Sequence, residues 1–297
     1  MTAEAGLLQQ QLLSAQNPDG GWAYQRGTSW TEPSALALLA LAAQGNSGQA
    51  YERGRGWLLK TQKPDGGWAP NPSIDTSTSV SSVAVLALAH ADFKTPELIR
   101  GVRWILGQEN GDTPALERIA LRFLGASPPK APGGSPWFPG TAAWVAPTSM
   151  SILALAAAAS IGLPAAADYE RLRSAVQRAQ QYLLSRTCRD GGWNHGGSSF
   201  RSEDAESYPE MTGLALLALQ NVSPAKLQNP LRRAEAFLSC PQPVEALSWL
   251  QLALLRHGRS VPVTTTRVVC RNNRDVCLRL LALASPDNNT FAAAFAS

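Results

Sequence analysis

Two hydrophobic patterns alternate along the chain. The first is a set of nearly unbroken small and aliphatic runs: SALALLALAAQG from Ser34, SSVAVLALAHA from Ser81, TSMSILALAAAA from Thr148 and TGLALLALQ from Thr212. None contains Asp, Glu, Lys or Arg, so each predicts a helix buried on most sides. The second is amphipathic: RGRGWLL from Arg53, RGVRWIL from Arg100, RAQQYLL from Arg178 and RAEAFLS from Arg233. Each has a basic residue, a small one, two variable positions, an aromatic and an aliphatic. Helical spacing puts the aromatic one turn above the basic residue. These segments predict outer helices around the apolar ones.

A third element joins the two. QNPDGGW (Gln16 to Trp22), QKPDGGW (Gln62 to Trp68) and TCRDGGW (Thr187 to Trp193) are copies of one string. Asp-Gly-Gly predicts a tight turn, because only Gly takes positive φ without steric cost. The Trp then has a fixed place to pack, and the Gln amide can bond freed backbone groups at a helix end. One repeat is therefore an outer helix, a Gln…Gly-x-Trp turn, a loop and an inner helix. About twelve helices are expected. They include one opened by Pro114 and ending at Gly125, a long amphipathic one from Asp168 to Arg186, and others starting at Pro209, Pro224, Pro243 and about Asp275. Strict outer/inner alternation fails between Gln108 and Pro147. The stretch Ser127 to Pro147 holds too much Pro and Gly for a helix, but its two Trp predict an ordered, packed insertion.

The segment RGRGWLLKTQKPDGGW, Arg53 to Trp68, resembles the QW motif of squalene and oxidosqualene cyclases. It is also similar to the repeat of protein prenyltransferase β-subunits. The resemblance covers roughly residues 5 to 260. It implies an all-α fold, an α/α toroid of six helical hairpins, with residues 1–297 forming one domain.

Hydrophobic residues make up 44% of the 297-residue chain and charged ones 16%, as a large core of small apolar helices requires. The formal charge is +4 and no basic run is longer than a pair, which argues against nucleic acid as a partner. Cys188, Cys240, Cys270 and Cys277 lack paired short spacing, so free thiols in a reducing, cytoplasmic setting are expected. The N-terminus is amphipathic rather than a signal peptide. No apolar run reaches the ~18 residues of a membrane span, although contact with a membrane surface stays open.

Aligned on their Leu-Ala-Leu triplets without gaps, the inner helices bring three sets of residues to their N-terminal ends. Trp30, Ser77, Trp144 and Tyr208 share one position; Glu32, Ser79, Ala146 and Glu210 the next; Ser34, Ser81, Thr148 and Thr212 the third, where helix capping is expected. In a toroid these positions ring one mouth of the central cavity. Trp30, Trp144, Tyr208 and Trp137 are the candidate substrate-binding residues, since aromatic faces stabilise cations. Glu32, Asp75 and Glu210 are the candidate acids or bases. The Asp-x-Asp-Asp cluster of squalene-type cyclases is absent, and SEDAES (Glu203, Asp204, Glu206) is the nearest acidic group. Asp275-Val276-Cys277 matches half of the prenyltransferase zinc set, but no His follows it, so no metal or other cofactor is expected. Cys188 and His195 flank the third turn as a weak nucleophile or ligand pair. The resemblance implies an apolar, isoprenoid-type small molecule in the cavity. Two other readings stand beside it: a non-catalytic toroid binding a lipid or protein partner, and a carbohydrate-active α/α barrel.

Overall fold

The computed structural model describes residues 2–91, 94–108, 133–163, 166–196, 199–200, 203–261 and 268–284. Eleven α-helices fall within them: α1 (Ala3–Ser14), α2 (Thr31–Ala43), α3 (Gln49–Lys60), α4 (Val80–His90), α5 (Pro96–Gly107), α6 (Val145–Ser160), α7 (Ala166–Ser185), α8 (Pro209–Ala218), α9 (Gln228–Leu238), α10 (Val244–Arg256) and α11 (Asn273–Leu283). A 3₁₀ turn, Pro224–Leu227, precedes α9, so the helix expected from Pro224 starts four residues later. Strands Ser199–Phe200 and Glu203–Asp204 form a small antiparallel hairpin. The helix expected from Pro114 to Gly125 and residues 127–132 of the Pro/Gly-rich stretch lie outside the described residues.

Neighbour packing closes a ring: α2 on α4, α4 on α6, α6 on α8, α8 on α10, α10 on α11, and α11 back on α2. Outside it, α1 packs on α11, α3 on α2, α5 on α4 and α6, α7 on α6, and α9 on α8 and α10. This is the expected α/α toroid. The inner helices are built from Ala, Leu, Ser and Thr because each is covered on nearly every side; Ala35, Ala37, Leu39 and Ala40 are all 0% exposed. The break in alternation expected between Gln108 and Pro147 falls largely outside the described residues. Among the described residues α5 is outer and α6 inner, while α10 and α11 are consecutive inner helices.

The turns explain the recurring residue types. Trp22, Trp68 and Trp193 are fully buried, and their indole N–H groups donate to Leu12, Leu58 and Leu183 carbonyls at 2.8, 2.8 and 2.6 Å. Gln16 Nε2 donates to Gly20 O and Ala50 O at 2.8 and 2.7 Å, and Gln62 Nε2 to Gly66 O and Glu97 O at the same distances. The Arg53 guanidinium donates to Gln16 Oε1, and that of Arg100 to Gln62 Oε1. Trp57 and Trp104 donate to Asp19 and Asp65, each at 3.0 Å. Each outer helix thus clasps the turn of the preceding repeat, not the turn that follows it in sequence.

The small residues are required by that clasp. A Cβ on Gly54 would lie 2.5 Å from the Trp22 ring, and one on Gly101 2.8 Å from the Trp68 ring. Gly20 (φ +99°) sits where a Cβ would lie 2.7 Å from Arg53 O.

The third turn differs, and the structure corrects the sequence register. Asn229, not Arg233, stands against Gly191 as Arg53 stands against Gly20. Arg233 therefore falls one turn later, where Trp57 stands, pairing with Asp190 at 3.1 Å and stacking on Phe237 at 4.2 Å. Thr187 replaces Gln and Asn229 replaces Arg, so both halves of that bond are lost together. Burial works against the Asp190 charge, but hydrogen bonds from Ser207 and Gly192 and the Arg233 guanidinium outweigh it, holding the carboxyl below its usual value.

The degenerate copy is Gly133-Gly134-Ser135. A Cβ on Gly134 would meet Tyr182 at 3.0 Å, as one on Gly21 would meet Trp57 at 2.9 Å. Ser135 there replaces the turn Trp.

Candidate functional site

Two backbone relations build the mouth of the ring. At the start of four of the inner helices, α2, α4, α6 and α8, one residue donates its N–H back to the turn of its own repeat: Trp30 to Trp22, Thr78 to Trp68, Trp144 to Ser135 and Tyr208 to Trp193. In α2, α4 and α6 the next residue donates across to the following repeat, Thr31 to Pro70 O at 2.8 Å, Ser79 to Trp137 O at 3.0 Å and Val145 to His195 O at 3.0 Å, and at the start of α11 Asn273 donates to Tyr24 O at 2.7 Å. The last of these crosses from the final inner helix to the first repeat. Side chains of Trp30, Thr78, Trp144 and Tyr208 therefore alternate around the mouth with Tyr24, Pro70, Trp137 and His195.

This corrects the gapless alignment. Thr78, not Ser77, occupies the Trp30 position, because the second repeat is one residue shorter before Ser81. Ser77 instead matches Ser29 and Ser207, all three donating to the turn Asp. The Ser/Thr set was expected to cap helices. It accepts the N–H after each Gly-Gly instead: Trp22 to Ser34 at 2.8 Å, Trp68 to Ser81 at 2.7 Å, Ser135 to Thr148 at 2.9 Å and Trp193 to Thr212 at 3.0 Å.

A pocket of about 230 Å³ opens at this mouth, lined by Tyr24, Trp30, Glu32, Pro70, Thr78, Ser79, Val80, Trp137 and Phe138. Of the sequence candidates, Trp30, Glu32 and Trp137 meet here. Trp137 and Phe138 are 43% and 54% exposed, so in the described part of the insertion, residues 133–147, these aromatics sit at the surface rather than packed inside. Trp144 and Tyr208 belong to a second aromatic group around His195, with ring centroids 6.4 and 5.3 Å from the imidazole. Glu210 is half-buried in the first turn of α8. Asp75 is fully exposed, 3.8 Å from Lys63, and does not line the pocket.

Glu32 is occupied on both oxygens. Arg274 Nε donates to one at 2.9 Å, and the Tyr24 hydroxyl to the other. Arg274 also pairs with Glu245 at 2.6 Å. Three inner-helix N-termini, those of α2, α10 and α11, are thereby tied together. Burial, reinforced by the Glu32 charge, raises the Tyr24 hydroxyl well above its ordinary value, so it stays a donor. The two Glu charges raise the guanidinium of Arg274 further, against its burial.

Cys188 is buried inside the third turn, whereas His195 is exposed at the mouth, and the two make no hydrogen bond to each other. Asp275 caps the Arg271 N–H and Cys277 is fully buried. Among the described residues no three His, Cys, Asp or Glu side chains are grouped to hold a metal. Sequence reasoning missed Tyr24, Thr78, Phe138 and Arg274 as mouth residues. Tyr24 and His195 each stand two residues past a turn Trp, so aligning the turns as well as the helices would have found them.

The chain can now be set beside known proteins. Residues 6–131 match the model of the squalene-hopene cyclase N-terminal domain. A drimenyl diphosphate synthase from Streptomyces showdoensis is 27% identical over 234 residues, which cover 76% of this chain and 38% of that protein. The chain thus spans less than two-fifths of that relative's length. The type II terpene cyclase MstE from Scytonema, solved in complex with geranylgeranyl dihydroxybenzoate (substrate), superposes with a TM-score of 0.55 at 16% identity, covering 94% of this chain and 76% of that one. The endoglucanase Cel10 from Klebsiella pneumoniae, a family 8 glycosyl hydrolase, gives 0.59 at 16% identity, over 93% and 97%. The two superpositions agree on the toroid alone. The sequence matches add a likeness to squalene-hopene cyclase-type proteins.

Proposed function

We propose that this chain is a terpenoid-cyclase-like toroid that takes an isoprenoid or other apolar chain into the mouth of its ring. The observation that carries this is the pocket between Trp30, Trp137 and Phe138, where Trp137 and Phe138 stay exposed although the turn residues Trp22, Trp68 and Trp193 are fully buried. The relative from Streptomyces showdoensis is named for an isoprenoid diphosphate, which points the same way. The repeats correspond to QW motifs in this reading, and residues 1–297 form a single toroid domain. All four Cys are free thiols, in keeping with a reducing cytoplasm.

Trp30 and Trp137 bind the chain, and Trp144 with Tyr208 extends the aromatic surface. Glu32 serves to position, since Arg274 and Tyr24 take both its oxygens. Asp75 faces solvent. Catalysis is therefore assigned to none of the three carboxylates in the chain on its own, although Glu210 retains a free carboxylate at the rim. A carbohydrate-active site has less support, because Glu32 and Glu245 are bridged by one guanidinium rather than opposed across a groove.

Equilibrium dialysis with labelled farnesol tests the reading. Saturable binding is expected, weakened about tenfold by Trp30→Ala or Trp137→Ala through lost apolar contact. If neither farnesol nor farnesyl diphosphate binds or moves the melting temperature, the ligand-binding toroid is wrong and a protein partner becomes the better reading.

A further inference from the structure

One position recurs around the mouth, the second residue of each inner helix. In ring order from α2 it reads Glu32, Val80, Ala146, Glu210, Glu245 and Arg274; in α4 it is counted from Thr78, which matches Trp30. Arg274 pairs with the residues on both sides of it, Glu32 and Glu245, so neighbouring positions are within side-chain reach. One guanidinium thus neutralises two of the three carboxylates. Glu210, the third, has no hydrogen-bond or ion-pair partner among the described residues. Its ring neighbours are Glu245, already taken, and Ala146, which carries no charge.

The sector around Glu210 is built as the sector around Glu32 is. The Tyr24 carbonyl accepts from Asn273, the residue before Arg274, and the His195 carbonyl from Val145, the residue before Ala146. Tyr24 packs on Trp30 with ring centroids 5.6 Å apart, and His195 on Tyr208 at 5.3 Å. Ala146 therefore stands where the first sector has Arg274. The N-cap beside it is Trp144, where α11 has Asn272, and its ring lies 6.4 Å from the imidazole. Trp144 and Tyr208 are 40% and 43% exposed, and both flank the gap. Two cations of that sector are engaged elsewhere, Arg233 with Asp190 and Arg186 over the Tyr182 ring.

We infer that the gap over Ala146 binds an organic cation with N–H donors, a guanidinium or primary ammonium group on an apolar body. Its N–H groups donate to Glu210, and the Trp144 and Tyr208 rings flank the cation and its body. The first sector carries its cation in the chain, whereas this one takes it from solution. The α8 dipole favours a carboxylate at Glu210, but no described donor reaches its oxygens. The inference does not rest on the apolar-ligand reading, because Ala146, Glu210, Trp144 and Tyr208 all lie outside the pocket of Trp30 and Trp137.

The test is isothermal titration calorimetry on the full chain with benzylguanidine, benzylamine and, as the neutral control, benzyl alcohol. Wild type is compared with Glu210→Gln, Trp144→Ala and Ala146→Arg. At least one of the two cations should bind about tenfold or more tighter than the alcohol, since hydrogen bonds between charged groups are the stronger kind. The tighter of the two then identifies the head group. Glu210→Gln should remove that advantage, and Trp144→Ala should weaken the cation about threefold. Ala146→Arg should abolish cation binding and raise the melting temperature, because the chain then supplies the missing charge itself; if it fails to fold, the other two variants still decide. Equal affinity for cations and alcohol overturns the inference, as does an advantage that Glu210→Gln retains. A loss in Glu210→Gln with none in Trp144→Ala would show general attraction to an acidic rim, and overturns it too. None of these outcomes bears on farnesol, so the two readings stand or fall separately.

Discussion

Trp57 and Trp104 each place an indole N–H on a turn carboxylate while covering the turn with an aromatic face. The two contributions separate by substitution. Trp57→Phe keeps most of the packing and loses the hydrogen bond to Asp19, so a destabilisation of about 1–2 kcal/mol is expected. Trp22→Ala empties a fully buried site and should cost about 3–5 kcal/mol. Urea unfolding midpoints would rank them, and equal costs would show that the bond rather than the packing dominates. Arg274 acts differently, because removing it strands two carboxylates. Arg274→Met is expected to cost about 2–4 kcal/mol, reduced from the fully buried figure by partial exposure. The double variant Arg274→Met with Glu32→Gln should recover part of that loss. His90 gives a pH signature. Burial lowers its imidazole to about 4 from the ordinary 6.5, and its Nε2 has no partner among the described residues. Above about pH 6.5 neither state is protonated and its contribution to stability is intact. As the pH falls from 6.5 towards 4 the unfolded chain takes a proton that the folded one refuses, so stability drops by up to about 3 kcal/mol. His257, also lowered by burial, adds to the same limb. In His90→Gln the loss of stability between pH 7 and pH 5 should be visibly smaller; an unchanged slope would assign it to other groups.

At the scale of elements, the turn and the helix that clasps it form one unit drawn from two consecutive repeats. Gly54 is the sharpest test, since any side chain there meets the Trp22 ring, with Leu38 Cδ2 also at 3.1 Å. Helix propensity alone favours Gly54→Ala by up to about 1 kcal/mol, whereas the clasp predicts net destabilisation of about 1–3 kcal/mol. The sign of the measured change decides between them. Elements were also where sequence reasoning slipped. The positions of the turns and the apolar character of the inner helices were legible, because both depend on local chemistry: Gly-Gly in a turn, and charge-free runs in a core. The α9 register was not. RAEAFLS matches the outer-helix pattern at Arg233, but the tertiary contact that defines the match runs from Asn229 to Gly191, one turn earlier. A pattern repeated every few residues along a helix looks much the same when slid by one turn.

For the whole molecule, closure of the ring is the decisive feature. Helix α11 fills the gap between α10 and α2, and the bond from Asn273 to Tyr24 joins last repeat to first. A chain truncated before Asn273 should lose cooperative unfolding, because α2 and α10 would each expose an apolar face to water. Circular dichroism melting would show this as a broad transition. Composition and repeat pattern alone determined that the chain is all-helical, that inner and outer helices differ in kind, and that aromatics collect at inner-helix starts. Those follow from burial and turn chemistry, which are properties of a residue and its near neighbours. Only the tertiary structure decided which candidates meet. Trp137 comes from a different repeat than Trp30 and Glu32, Arg274 reaches Glu32 across 242 positions, and Thr78 takes the place given to Ser77 because of one missing residue. Contacts of that range depend on how the ring closes, and nothing local in the chain encodes the partner across it.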